Sequence, residues 1–166
     1  KLGIRIKYDD PKAVGADRLC NAVAAFKKYG GPAIVIDFGT ATTYDVISKR
    51  GEYLGGVIAP GIETAGAELH RRAARLPKIE LHVPKNVIGK NTVESMQSGI
   101  IYGAIDSMEG MIKRIKKVTG SKTTVILTGG YSKAVGEYSK LVDECEPWLV
   151  LEGAMKIYKM NKANPK

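Results

Sequence analysis

The feature that most restricts the fold of this sequence is a set of three consecutive β-type runs, Ala33–Ile36, Thr42–Ser48 and Glu52–Ile58, joined by very short links. The first, Ala33-Ile34-Val35-Ile36, is continuously apolar, the pattern of a strand covered on both faces. The links, Asp37-Phe38-Gly39-Thr40 and Lys49-Arg50-Gly51, are rich in turn formers. Connections this short force neighbouring strands to run antiparallel, so a three-stranded meander is predicted.

The flanking segments extend that frame. Ile4 to Tyr8 reads as a short strand, followed by an Asp9-Asp10-Pro11 turn. Leu19, Ala22, Val23 and Phe26 have helical spacing, and that helix should stop at Gly30-Gly31-Pro32. After Pro60-Gly61 a helical stretch is predicted to about Leu76, then a loop through Pro77 and Pro84, then a long helix from about Thr92 to Val118. The long helix carries an apolar stripe of Val93, Met96, Ile100, Ala104, Met108, Ile112 and Ile115. Thr123 to Leu127 is a buried strand, Tyr131 to Val142 a helix and Trp148 to Leu151 a further strand, leading into a final helix.

This reads as an α/β chain in the ribonuclease-H-like order, βββαβαβα after an amino-terminal strand and helix, with a mixed sheet flanked by helices. That architecture serves nucleases, integrases, chaperone ATPases and sugar kinases, so function must be argued from the sites.

Composition narrows the classes. The 166 residues are 44% hydrophobic and 26% charged, which suits a packed core and excludes disorder for the bulk of the chain. No apolar run approaches the roughly 20 residues of a membrane span, and an intracellular, cytoplasmic chain is expected. Twenty-six basic residues against 17 acidic ones give a net charge of +9. The basic residues are spread over the polar faces of predicted helices, which argues for solvated faces and an affinity for small anions more than for nucleic acid. Cys20 and Cys145 lack the spacing of a disulfide scaffold or zinc site, and His70 and His82 stand without partner carboxylates.

Several turns have the chemistry of a phosphate or substrate pocket. Asp37-Phe38-Gly39-Thr40 joins two strands; its glycine admits a ligand to the backbone, its threonine offers a hydroxyl, and its aspartate can hold a cation. Taken alone, the same residues suit an ordinary hairpin turn better. Thr128-Gly129-Gly130 follows a buried strand and opens a helix, a place for a nucleotide or for a plain glycine turn. Gly55-Gly56 and Ala59-Pro60-Gly61 add small residues near the same sheet edge, and jointly these glycine sites favour a nucleotide pocket. Gly15-Ala16-Asp17-Arg18 sets a carboxylate and a guanidinium at a helix start, suited to a base beside an anionic substrate, or simply to a favourable first turn. Asn91-Thr92-Val93-Glu94 has the form of a capping box.

In order and spacing these segments, with Leu127-Thr128-Gly129-Gly130 and Leu151-Glu152-Gly153, resemble the type III pantothenate kinases of the ASKHA superfamily. The resemblance implies ATP-dependent phosphorylation of pantothenate, the first step of coenzyme A synthesis, with Mg2+ and an activating K+ or NH4+. It implies that Asp17 is the general base, that Gly15, Ala16 and Arg18 bind substrate beside it, and that Tyr8 lines the pantothenate pocket. By the same resemblance Asp37 holds the monovalent cation, Gly39, Thr40, Gly129 and Gly130 contact ATP, and Thr92 contacts pantothenate. The family is a homodimer whose pockets are completed across the interface by the long helix, a packing that the stripe through Ile100 and Met108 would suit.

The family also carries an aspartate-glycine-asparagine-threonine phosphate loop ahead of its Gly-Ala-Asp-Arg segment, and no such loop precedes Gly15 here. The expectation is that residues 1–30 are the remnant of an amino-terminal ASKHA domain and residues 31–166 the carboxy-terminal one. The rival reading is a non-catalytic ASKHA-fold accessory or regulatory protein that binds a nucleotide or nucleic acid. A nuclease of this fold would need clustered carboxylates for two metals, and the first meander strand offers only Asp37.

Overall fold

The computed structural model describes residues 1–162. The elements run β1 (Arg5–Ile6), α1 (Ala16–Tyr29), β2 (Ala33–Phe38), β3 (Ala41–Ile47), β4 (Glu52–Pro60), α2 (Ile62–Arg72), α3 (Thr92–Thr119), β5 (Thr124–Gly129), α4 (Ser132–Gly136), β6 (Glu144–Cys145) and α5 (Leu149–Lys162). One mixed sheet has the order β1-β4-β3-β2-β5-β6. The meander β2-β3-β4 is antiparallel, whereas β1 joins β4, β5 joins β2 and β6 joins β5 in parallel.

Side chains alternate across the sheet, and both faces are covered. Ile34, Ile36, Phe38, Tyr44, Val125 and Leu127 share one cluster with Ile62 of α2 and with Met96, Ile100, Ile101, Ile105, Met108 and Ile112 of α3. Ala33, Val35, Ile47, Tyr53 and Ile126 pack on the other side with Ala22, Ala24 and Ala25 of α1 and Leu149 of α5. The continuous apolar run of β2 therefore has its expected cause, a central strand clad on both sides.

Four expectations are corrected. Ile100 and Met108 are buried against the chain's own sheet, so neither serves subunit packing; above Gly99, Gly103 and Gly110 of the same helix there is open space. Helix α2 ends at Arg72 because Pro77 disfavours a helical Leu76, and the chain instead turns with the Leu76 N–H donating to the Ala73 carbonyl at 3.0 Å. Helix α4 covers only Ser132–Gly136: Gly136 weakens the helix, and the Ser139 hydroxyl accepts the Leu141 N–H at 3.2 Å.

Trp148 to Leu151 is the start of α5 and forms no strand, because the Trp148 carbonyl accepts from the Leu151 and Glu152 N–H groups at 3.0 and 3.1 Å. The sixth strand position is taken by Glu144–Cys145, held by Asp143 N–H to Val125 and Glu146 N–H to Leu127. The apolar run at 148–151 instead splits between the faces of a helix. Leu149 goes into the core, while Trp148, Leu151, Met155 and Tyr158 form an exposed stripe. Among the described residues no helix is long and apolar enough to cross a membrane.

Candidate active site

The turn between β2 and β3 and the end of β5 lie side by side, since Phe38 pairs with both Thr42 and Gly129. Asp37 stands at that point on the α1 side of the sheet, half-buried. Its Oδ2 accepts a 2.9 Å hydrogen bond from Asn21 Nδ2 of α1. Gly129 has φ +88°, and a Cβ there would lie 2.5 Å from Asp37 Oδ1 and 2.7 Å from the Phe38 backbone. A glycine is therefore needed for both conformation and space. Gly39 flanks the same oxygen, with its Cβ position 3.5 Å away, and Gly130 opens to free space. The turn itself is anchored by Thr64 of α2, whose hydroxyl donates to the Thr40 carbonyl at 2.6 Å. Gly39 and Thr40 are exposed on it.

Helix α1, with Gly15 as its N-cap, delivers the next group of residues. Asp17 is exposed in its first turn, its Oδ1 folded back to 2.5 Å from where a Cβ on Gly15 would sit. The helix then turns Arg18 inward, where Nε donates to Asp45 Oδ1 at 2.7 Å in a buried ion pair. The Tyr53 hydroxyl donates to the same oxygen at 2.7 Å. Tyr8 follows β1, is 38% exposed, and places its ring 6.2 Å from that of Tyr53. Gly55 and Gly56 lie farther along β4, beneath Tyr8 and Arg18.

The structure thus places Tyr8, Arg18 and Asp37 on the α1 side of the sheet, with Gly15, Ala16 and Asp17 at the start of α1 and the Gly39-Thr40 and Gly129-Gly130 turns beside Asp37. It does not bring Thr92 there. Thr92 opens α3 on the opposite face and lines a cleft of about 940 Å3 between α2 and α3, with Asn91 capping the helix through the Glu94 N–H at 2.9 Å. Cys20 and Cys145 are free thiols. Asn21, Asp45 and Tyr53 were not singled out from the sequence. A lone acid among the apolar residues of a strand, as in Tyr44-Asp45-Val46, is the signal that could have found one of them.

Electrostatics tie these groups together. Burial pushes the Asp37 carboxyl above its ordinary value, the Asn21 hydrogen bond opposes that rise, and the charge of Asp17 adds to it. Burial also raises Asp45, against the pull of Tyr53 and Arg18. The charge of Asp17 thus reaches both Asp37 and Asp45, although no three His, Cys, Asp or Glu side chains among the described residues are grouped to chelate a metal.

Because Asp37 binds its proton more tightly folded than unfolded, its ionisation removes stability as pH rises from the unfolded value, near 3.8, through the raised folded one. Asn21→Leu should shift the Asp37 titration, followed by carboxyl-carbon NMR, to still higher pH. A downward shift would contradict the role given to Asn21.

Known proteins share both the fold and the sequence. The structure aligns with a protein described as a conserved Baf family transcriptional activator from Campylobacter jejuni, with TM-score 0.68 and 21% identity over 98% of this chain and 71% of that one. It also aligns with the activator of the 2-hydroxyisocaproyl-CoA dehydratase from Clostridium difficile with bound ADPNP, with TM-score 0.51 and 12% identity over 89% of this chain and 69% of that one. At these identities the likeness establishes the ASKHA fold and nothing finer.

Sequence relatives are much nearer. A type III pantothenate kinase of Halalkalibacterium halodurans is 52% identical over 161 residues, 97% of this chain and 63% of the relative. One of Streptomyces griseus is 55% identical over 164 residues, 97% of this chain and 62% of the relative. The chain therefore spans a little over three fifths of the length of these relatives. Residues 1–114, which hold Asp17, Arg18, Asp37 and Asp45, match the family model for type III pantothenate kinase, and the chain belongs to that family.

Proposed function

We propose that the protein transfers the γ-phosphate of ATP to the primary hydroxyl of pantothenate, using the α1 side of the sheet as its active site. The observation that carries this is an exposed carboxylate, Asp17, in the first turn of the helix whose Arg18 pairs with buried Asp45 and whose Asn21 donates to half-buried Asp37 beside Gly129. Phosphoryl transfer needs positioning and charge neutralisation more than a strong base. In this reading Asp17 orients the hydroxyl and accepts its proton, while Gly15, Ala16, Arg18 and Tyr8 hold the anionic substrate. Gly39, Thr40, Gly129 and Gly130 present backbone N–H groups and a hydroxyl to the phosphates.

Asp37 Oδ1, flanked by Gly39 and Gly129 with no side chain of theirs to cover it, is the oxygen that would hold a monovalent cation, K+ or NH4+. Such an ion would offset the charge of Asp37 and the phosphates. Mg2+ would travel with ATP. The substrates are dissolved metabolites, and the reaction is assigned to the cytoplasm.

Two further parts belong to this proposal. Residues 1–30 belong with an amino-terminal ASKHA domain and residues 31–166 form the carboxy-terminal one, the exposed stripe on α5 being surface that such a neighbour would cover. The active unit is a homodimer, because Thr92 lies on the opposite face from Asp17 and meets the same substrate only if one subunit supplies each. The open face of α3 over Gly99 and Gly103 leaves room for that approach.

The first test is pantothenate-dependent ADP release with ATP, Mg2+ and K+, assayed on the 166-residue chain and on the full product of its gene. Release in the presence of pantothenate, lost without a monovalent cation, is expected; no release from either protein would contradict the proposal.

The dimer has its own test, in which Asp17→Asn and Thr92→Arg are each inactive and are mixed. Random exchange puts half of the subunits in mixed dimers with one intact site of two, so about a quarter of wild-type activity should return. No recovery after proven exchange would place both residues in one subunit's site.

A further inference from the structure

We propose that Asp45 and Tyr53 are positioning residues that clamp the Arg18 guanidinium in the orientation that receives the substrate's carboxylate. This rests on the reading of Arg18 as a pantothenate contact.

The geometry is that of an orienting device more than of a strong ion pair. An arginine and a carboxylate optimised for strength form two parallel hydrogen bonds, one to each oxygen. Here Arg18 Nε and Nη2 both lie 2.7 Å from the same oxygen, Asp45 Oδ1, and only Nε makes a hydrogen bond. The Tyr53 hydroxyl donates to that oxygen as well, at 2.7 Å, so the carboxylate cannot rotate to a two-oxygen pairing without losing Tyr53. Asp45 Oδ2 is left buried without a hydrogen bond from the described residues, and Arg18 Nη2 meets Asp45 Oδ1 as an ion-pair contact only.

The surroundings are shaped to the same end. Gly56, opposite Asp45 across the β3-β4 pair, is required first by the Tyr44 backbone, whose carbonyl carbon would lie 2.8 Å from a Cβ there, and that Cβ would also come to 2.9 Å from Arg18 Nη2. The Tyr53 ring lies 6.0 Å from the guanidinium carbon. With Asp45 fully buried, the clamp is shielded from water, and the guanidinium is fixed before substrate arrives.

The deciding experiment measures steady-state kinetics of wild type, Arg18→Lys, Asp45→Asn, Tyr53→Phe and the double variant Arg18→Lys/Asp45→Asn, using the active form of the protein. Asp45→Asn should raise KM for pantothenate about tenfold or more while kcat and KM for ATP stay within about threefold, the split expected of lost ground-state binding. Tyr53→Phe should move KM the same way by a smaller factor.

Adding Arg18→Lys to Asp45→Asn should cost less than the product of the single losses, because both act on one contact. An unchanged pantothenate KM in Asp45→Asn, or in Tyr53→Phe if Asp45→Asn does not fold, would overturn the clamp. So would a fall in kcat alone, or losses that multiply in full. A wild-type protein without pantothenate-dependent turnover would instead overturn the functional reading beneath it. The Arg18 Nε–H separates the two: it should exchange slowly with solvent in wild type and fast in Asp45→Asn, and fast exchange in wild type would refute the clamp with or without turnover.

Discussion

Replacing Asp17 by asparagine is expected to lower turnover by about 10²-fold or more while leaving nucleotide affinity within about twofold. Asparagine keeps the shape of the side chain and its place over Gly15 but can neither accept the hydroxyl proton nor attract it by charge. The nucleotide is assigned to the glycine turns at Asp37 and Gly129, so its binding does not pass through Asp17.

Part of the loss should be smaller than complete removal of a base would suggest, because a loose phosphoryl-transfer transition state leaves much of the rate to positioning. The charge of Asp17 also raises Asp37. Asp17→Asn should therefore lower the Asp37 titration slightly, a change of opposite sign to that of Asn21→Leu. Titration and single-turnover kinetics on the one variant check both claims; unchanged turnover would remove Asp17 from the chemistry.

The second large effect is expected at Gly129. An alanine there must hold φ near +88° and place its Cβ 2.5 Å from Asp37 Oδ1. The left-handed conformation costs about 1–2 kcal/mol and the overlap about 1–3 kcal/mol, so a loss of about 2–5 kcal/mol is expected. In a chain of this size that corresponds to a melting temperature lower by roughly 10 °C.

Gly130→Ala is the matched control. Nothing lies within 4 Å of its Cβ position, and its stability should stay within about 0.5 kcal/mol of wild type. Calorimetry of the two variants decides the point, and equal melting temperatures would show that the cradle around Asp37 is looser than described. Cation activation should fall with Gly129→Ala, since the methyl group would crowd the Asp37 oxygen assigned to the ion.

The parts legible in the sequence are those that local physics determines. The meander was readable because Ala33–Ile36 is apolar on both faces and its links are too short for a crossover. Helix α1 was readable from its period and its glycine stop, and the family emerged from motif order. What was not legible depends on pairing at a distance.

Arg18 and Asp45 are 27 residues apart, and only the fold of β3 against α1 makes them a pair. Asn21 looked like one more residue of an amphipathic helix until its amide met Asp37. At Trp148 to Leu151 the apolar run suited a strand and a helix equally, and the adjacent edge position went to Glu144–Cys145, whose side chains give no strand signal. Edge strands can be held by backbone hydrogen bonds alone, which hydrophobic patterning does not register.

The most direct measurement of the central claim is a phosphorus NMR balance of ATP, Mg2+, K+ and pantothenate incubated with the full product of the gene, in wild-type and Asp17→Asn forms. The proposed activity predicts one phosphomonoester signal, that of 4'-phosphopantothenate, for each ADP formed, with almost none in the variant. ADP accompanied only by inorganic phosphate, or product formed equally by both proteins, would contradict it.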